Sequence, residues 1–125
     1  MTEDVQGPDL EVFSKSLADM AVESWRFSRL FARALTKLDA GEQSRYQGQL
    51  RWFQRKLEDS LVDAGMRIVN VEGQLFDPGM AATPLNIEEF DPADTLVVEQ
   101  MLEPIVMGPN GLLRTGTVTL RKVEG

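Results

Sequence analysis

At Gly65 the hydrophobic pattern changes period, and that switch constrains the fold more than any other feature of the chain. Upstream, apolar residues recur at three- and four-residue steps. Downstream, β-branched runs alternate with polar residues between Gly, Pro and Asn punctuation. The chain therefore reads as α+β, with a helical region at 9–64, a small all-β region at 65–125 and a disordered tail at 1–8. Its 125 residues allow one modest core and not two well-packed domains.

The helical region reads as two helices, at about 9–38 and 43–64. With Leu10 as position a, the a and d places of a heptad fall on Leu10, Phe13, Leu17, Met20, Ser24, Phe27, Phe31, Ala34 and Leu38. All but Ser24 are apolar, which predicts a helix–helix seam. Gly7-Pro8-Asp9 supplies a start and Asp39-Ala40-Gly41 a stop. Ala21, Val22, Trp25, Leu30 and Leu35 lie off the seam, so this helix should meet more than one neighbour. The second helix repeats Tyr46, Leu50, Phe53, Leu57, Leu61 and Ala64, and Gly65 is placed as its left-handed terminator, with Met66 folding back on Leu61. A short Asp39 to Glu42 connection makes the pair antiparallel. Two such helices with surplus apolar surface form half of a four-helix bundle, which a two-fold homodimer completes. The expected dimer interface is Leu10, Phe13, Leu17, Met20, Phe27, Phe31 and Leu38 with Leu50, Phe53 and Leu57.

In the second region, runs at 66–71, 95–102 and 116–123 predict a small antiparallel sheet. Gly108-Pro109-Asn110-Gly111 predicts a tight hairpin loop. The stretch Asp77 to Asp94 predicts a long acidic loop holding one short strand near Leu85 to Ile87.

Cysteine and histidine are both absent. This excludes thiol nucleophiles, Cys/His metal sites and histidine-based catalysis, so no catalytic residue is proposed and the chain is read as a binding protein rather than an enzyme. No cofactor or metal is expected: the acidic run Glu88 to Asp94 lacks the spaced oxygen ligands and central Gly of a calcium loop, and no Gly-rich phosphate loop is present. The opening MTEDVQGPDL has no basic segment followed by an apolar one, and no run approaches the roughly 20 residues of a membrane span. A cytoplasmic location away from membranes is expected. A net charge of −7 argues against general nucleic-acid binding. The charge is uneven, however. Arg26, Arg29, Arg33, Lys37, Arg45, Arg51, Arg55 and Lys56 cluster against Asp39 and Glu42 alone, whereas nine acids and four bases follow Gly65. Helical spacing assigns the interleaved aromatics to a bundle core and the arginines to its rim, with docking of an acidic partner as a second use.

The segment Gly65 to Pro78, with Gly73-Gln74-Leu75-Phe76-Asp77-Pro78 at its end, resembles the junction of GrpE proteins, where the last bundle helix stops at a glycine and a Gly-x-x-Phe-Asp-Pro turn leads into the β-domain. Val97 to Leu102 looks like that family's next strand, and Leu112-Leu113-Arg114 with Gly116 to Leu120 like its arginine-led closing strand. The likeness spans about residues 27 to 123. It implies a homodimeric cochaperone that binds the nucleotide-binding domain of a DnaK-type chaperone, opens its cleft and promotes ADP release. The alternative is a dimeric adaptor with that fold and no exchange activity. The resemblance carries the partner-binding surface to Phe76, Asp77, Pro78, Met101, Arg114 and Leu120, with Arg114 alternatively bracing the β-domain and Phe76 and Leu120 alternatively forming plain sheet core. The chain departs from the family pattern at Ala81, at Pro104-Ile105 and at Thr115-Gly116.

Overall fold

The computed structural model describes residues 9–124, and the tail expected at 1–8 lies outside them. Helix α1 spans Leu10–Leu35 and helix α2 spans Ala40–Asp63. Asp9 caps α1, its carboxylate accepting the Val12 N–H at 2.9 Å. The helix stops before the expected Leu38 because the carbonyls of its last turn find side-chain partners. The Thr36 hydroxyl donates to the Arg33 carbonyl at 2.7 Å, and the Gln43 amide reaches back to the Leu35 carbonyl at 2.9 Å. Asp39, read from the sequence as part of a stop, instead starts α2 by accepting the Glu42 N–H at 2.9 Å. These are two moderate helices and not one long coiled coil. At the far end Gly65 adopts φ 75°, and the Met66 N–H returns to the Leu61 carbonyl at 2.8 Å. A Cβ on Gly65 would sit 2.9 Å from Pro109 Cγ, so glycine also admits the tip of a β-hairpin against the helix end.

The intrachain helix seam is displaced from the a/d pattern. Ala21, Ser28 and Leu35, one place beyond each d position, are the buried residues of α1 on the α2 side, where Ala21 clusters with Leu61 and Met66. Small side chains win this place because they let the helix backbones approach, and Ser28 is tolerated there because its hydroxyl donates to the Ser24 carbonyl at 2.9 Å. A second face of α1 packs on the β-region: Ala18 and Val22 meet Val106, all fully buried, and Trp25 packs on the main β core. Of the off-seam residues, Val22 and Trp25 thus find β-structure as the second neighbour, Ala21 and Leu35 face α2, and Leu30 stays exposed.

The β-region holds six strands, β1 Arg67–Val69, β2 Ala82–Pro84, β3 Leu96–Glu103, β4 Ile105–Gly108, β5 Gly111–Arg114 and β6 Gly116–Lys122. They form two three-stranded sheets, β1-β4-β5 and β2-β6-β3. The single antiparallel sheet expected from sequence is corrected twice: there are two sheets, and β2 pairs with β6 in parallel. The short strand expected at Leu85 to Ile87 lies earlier, at Ala82–Pro84, and Ile87–Glu89 is a 3-10 turn. Hairpin β4–β5 closes through Pro109-Asn110 with Gly108 opposite Gly111, as the punctuation predicts.

The chain changes sheet three times, between β1 and β2, between β3 and β4, and between β5 and β6. Pro104, fully buried between β3 and β4, removes an N–H from the ladder where the chain leaves one sheet for the other, and Thr115 is the single residue between β5 and β6. These last two crossings fall where the sequence departs from the GrpE pattern. Gly116, next to Thr115, has no room for a side chain, since a Cβ would lie 2.9 Å from the Glu103 carbonyl oxygen and 2.7 Å from Met101 Cε. Gly116→Ala is therefore expected to destabilise the protein by about 1–3 kcal/mol through overpacking, read as a lower urea midpoint at unchanged m-value.

Candidate functional site

Two ion-pair clusters ring the dry contact between α1 and the β-region. In the first, Arg29 grips Glu72 through two nitrogens, at 2.6 and 3.3 Å, while its guanidinium lies 4.6 Å from the centre of the Trp25 ring. Glu72 also accepts the Met101 N–H at 2.7 Å, at a point where β3 is irregular and the ladder leaves that donor to a side chain. In the second, Arg114 binds Asp19 at 2.6 Å and approaches Glu103 at 3.6 Å, and Asp19 is held from its own helix by Lys15 at 2.9 Å. Arg26 adds a longer contact to Glu103, at 3.7 Å. The clusters fix the β-region to the helix in angle and in register.

These geometries set the acidities. Partial burial pushes the Glu72 carboxyl up, but the hydrogen bonds from Arg29 and the Met101 N–H, with the Arg29 charge, outweigh it and hold the group below 4.5. Hydrogen bonds from Lys15 and then Arg114 hold Asp19 below its ordinary value. Periodicity gives no signal for the pairing of Glu72 with Arg29, or of Asp19 and Glu103 with Arg114, because those partners lie across the fold; the spacings of Lys15 with Asp19 and of Trp25 with Arg29 on one helix are local.

The six residues carried over from the resemblance are not brought to one surface. Met101 and Leu120 are 1% exposed and sit in the main β core, so neither side chain is presented to a partner. The contact role expected for Met101 is corrected to packing, since it fills the space that Gly116 leaves, and Leu120 takes the sheet-core alternative. Arg114 is engaged with Asp19 and Glu103, which is the bracing alternative. Phe76, Asp77 and Pro78 do lie together. Phe76 is half-buried against the core, and Asp77 and Pro78 form an exposed turn in which the Asp77 carboxylate accepts the Gly79 N–H at 2.9 Å.

The expected dimer interface divides similarly. Leu50 is buried within the chain, and Leu17, Phe31 and Leu57 are half-buried at the edge of the intrachain seam. Leu10, Phe13, Met20, Phe27, Leu38 and Phe53 remain exposed, with Met20 66% and Phe27 61% open to solvent. Phe27 and Phe31 stack at 6.2 Å and, with Leu50 and Trp52, line an apolar hollow of about 290 Å³ between the helices. A second cleft of about 470 Å³, floored by Trp25, Leu57, Leu61 and Met66, opens between the hairpin and β1.

The fold defines a class, a helical hairpin packed on a small β-region of two three-stranded sheets, with exposed apolar residues left along both helices. Among the described residues no group of three or more acidic side chains could hold a metal ion, and no helix is long and apolar enough to cross a membrane. Comparison with protein-family models, with curated proteins and with solved structures returns no match.

The Arg29–Glu72 pair makes a pH-dependent contribution. Because the folded carboxyl is the stronger acid, the contribution is complete above the unfolded value near 4.5 and is lost as pH falls through the folded one. Urea midpoints measured from pH 7 to pH 3 should fall more steeply for the wild type than for Glu72→Gln, whose curve starts lower and is flatter.

Proposed function

We propose that this protein is a GrpE-like exchange factor. Two copies pair through the exposed apolar column of α1, and the β-region docks on the nucleotide-binding domain of a DnaK-type chaperone, favouring the open cleft and ADP release. The observation that carries the reading is the double clamp between α1 and the β-region. A wedge shifts a cleft equilibrium only by the difference in its affinity for the open and closed forms, about 1.4 kcal/mol for each factor of ten. A yielding wedge would follow the cleft as it closes and lose that difference. A β-region held at two charged points around a dry contact resists such yielding, because rotation about the contact would break one pair or the other.

The exposed column supports the pairing. Phe13, Met20 and Phe27 follow one another along α1, with Trp52 and Phe53 exposed on α2, which is more contiguous apolar surface than a lone hairpin ordinarily leaves to water. The turn at Phe76 to Pro78, the portion of the resemblance that reaches the surface, supports the docking.

A second reading, a dimeric adaptor without exchange activity, is favoured by the core positions of Met101 and Leu120 and the internal engagement of Arg114, since three of the six carried-over residues then have no free side chain to offer.

Release of labelled ADP from a DnaK-type chaperone of the same cell separates the two. The exchange reading expects acceleration of tenfold or more, and unchanged release at saturating protein would leave the adaptor. Sedimentation should give a dimer that Met20→Asp/Phe27→Asp converts to a monomer without loss of helix content, because both side chains are exposed within one chain.

A further inference from the structure

Beside β3 the chain makes an additional edge. The Gly73 N–H donates to the Val98 carbonyl at 2.9 Å, the Val98 N–H to the Gln74 carbonyl at 2.9 Å, and the Phe76 N–H to the Leu96 carbonyl at 2.8 Å, with Leu75 bridged to Val97. Residues 73–76 therefore extend the β2-β6-β3 sheet by one short run. Antiparallel alternation turns the N–H and C=O of Leu75 away from β3, toward the open edge. The Leu75 side chain is 63% exposed at the same place.

Next to this edge lies an open groove of about 620 Å³, floored by Phe76, Phe90 and Leu96 and walled by Leu75 and Ile87. Its far lip is the stretch read from sequence as an acidic loop, and the structure shows why that stretch holds its shape. The Asn86 side chain pairs with both backbone groups of Leu120, at 2.8 and 2.9 Å, the Leu85 N–H donates to the Val118 carbonyl at 2.9 Å, and the Asp94 carboxylate accepts the Asp91 N–H at 3.0 Å. Ile87 is thus held out, 41% exposed, from a fixed support.

The charge around the groove is predominantly negative. Asp91 lines it, Asp77, Glu88 and Glu89 adjoin its lining residues, and all four are exposed without an ion-pair partner among the described residues. Asp94 is the acid there with a cation, Lys122 at 3.5 Å. An apolar trough beside an open strand edge and under unpaired carboxylates calls for an extended chain that can pair its backbone, seat a large apolar side chain and bring Lys or Arg on either flank.

We propose that the groove between residues 75–78 and 87–96 docks an extended partner segment with an apolar anchor and basic flanks. This deepens the proposed function by naming the chemistry that the β-region would recognise, and it rests on that reading only for the identity of the partner.

The test uses the full chain and fluorescein-labelled peptides read by anisotropy. Lys-Lys-Leu-Phe-Leu-Lys-Lys should bind at least tenfold more tightly than a version with Glu for every Lys, and than one with Ser for Leu and Phe. Ile87→Asp and Glu88→Lys/Glu89→Lys should each weaken it about tenfold, with folding checked by circular dichroism. Equal binding of the serine peptide, binding indifferent to Ile87→Asp, or no binding of the basic apolar peptide would each overturn the proposal. So would a lower sedimentation mass of Ile87→Asp, which would make the groove a contact between copies of this chain. The ADP-release assay keeps the two readings apart. Peptide binding without faster release sinks the exchange factor and leaves the groove, whereas faster release undiminished by Ile87→Asp does the reverse.

Discussion

The contact of Ala18 and Val22 with Val106 determines what the rest of the molecule can do. It is dry, small and made by residues that bring the helix backbone close to the sheet. Apolar burial supplies the attraction, while the partly exposed ion pairs around it are worth about 0–1 kcal/mol each. Their larger effect is geometric. Arg29 on Glu72 and Arg114 on Asp19 engage the β-region at two separate points, so rotation about the small apolar contact would break one or the other. The contact holds the two parts together and the charges select one orientation.

Helix α1 consequently serves three neighbours with three columns of its surface. The column of Ala21, Ser28 and Leu35 meets α2, that of Ala18, Val22 and Trp25 meets the β-region, and that of Phe13, Met20 and Phe27 faces solvent. A heptad count makes the third column conspicuous because Phe13, Met20 and Phe27 are all large and apolar. The structure gives the middle of the intrachain contacts to Ala18, Ala21 and Val22, because volume and not hydropathy limits how closely a helix approaches its neighbour. That the helix needed several neighbours was legible from Val22 and Trp25; which column met which was not. Gly65, the β4–β5 loop and the main strands were legible because each depends on local backbone preference. The division into two sheets, the parallel pairing of β2 and the clamp residues were not, because all depend on groups far apart in sequence.

The departures at Pro104 and Gly116 have a common physical basis. Pro104 ends β3 and sends the chain to the other sheet, and Gly116 begins the strand that returns to pair with β3. Between them, Met101 occupies the room that the missing side chain leaves. Positions 101, 105 and 116 therefore form one packing unit, since a Cβ on Gly116 would meet both Met101 and Ile105, and a change at one is felt at the others within the reach of a methyl group. Met101, which as an isolated residue looked like an adaptable contact, is better understood as the filler of this corner.

Charge is sorted across the molecule in the same pattern. Where the hairpin and the β-region meet, Arg26, Arg29 and Arg114 find Glu103, Glu72 and Asp19. Away from that boundary Arg33, Lys37, Arg45, Arg51, Arg55 and Lys56 lie along the hairpin, followed by Glu58, Asp59 and Asp63 toward the end of α2, and Asp77, Glu88, Glu89 and Asp91 lie on the groove's lip. Charge alone would favour joining the hairpin of one copy to the lip of another, an open head-to-tail contact that does not close. Apolar area favours the hairpin columns, a contact that a two-fold axis does close. Of the two, the pairing proposed above is the one that physiological salt disturbs less, because screening over about 8 Å weakens attraction between exposed charges and leaves burial of Phe13, Met20 and Phe27 untouched. That proposed pairing would use the hairpin and not the lips, which leaves the proposed groove of each copy available to a basic segment.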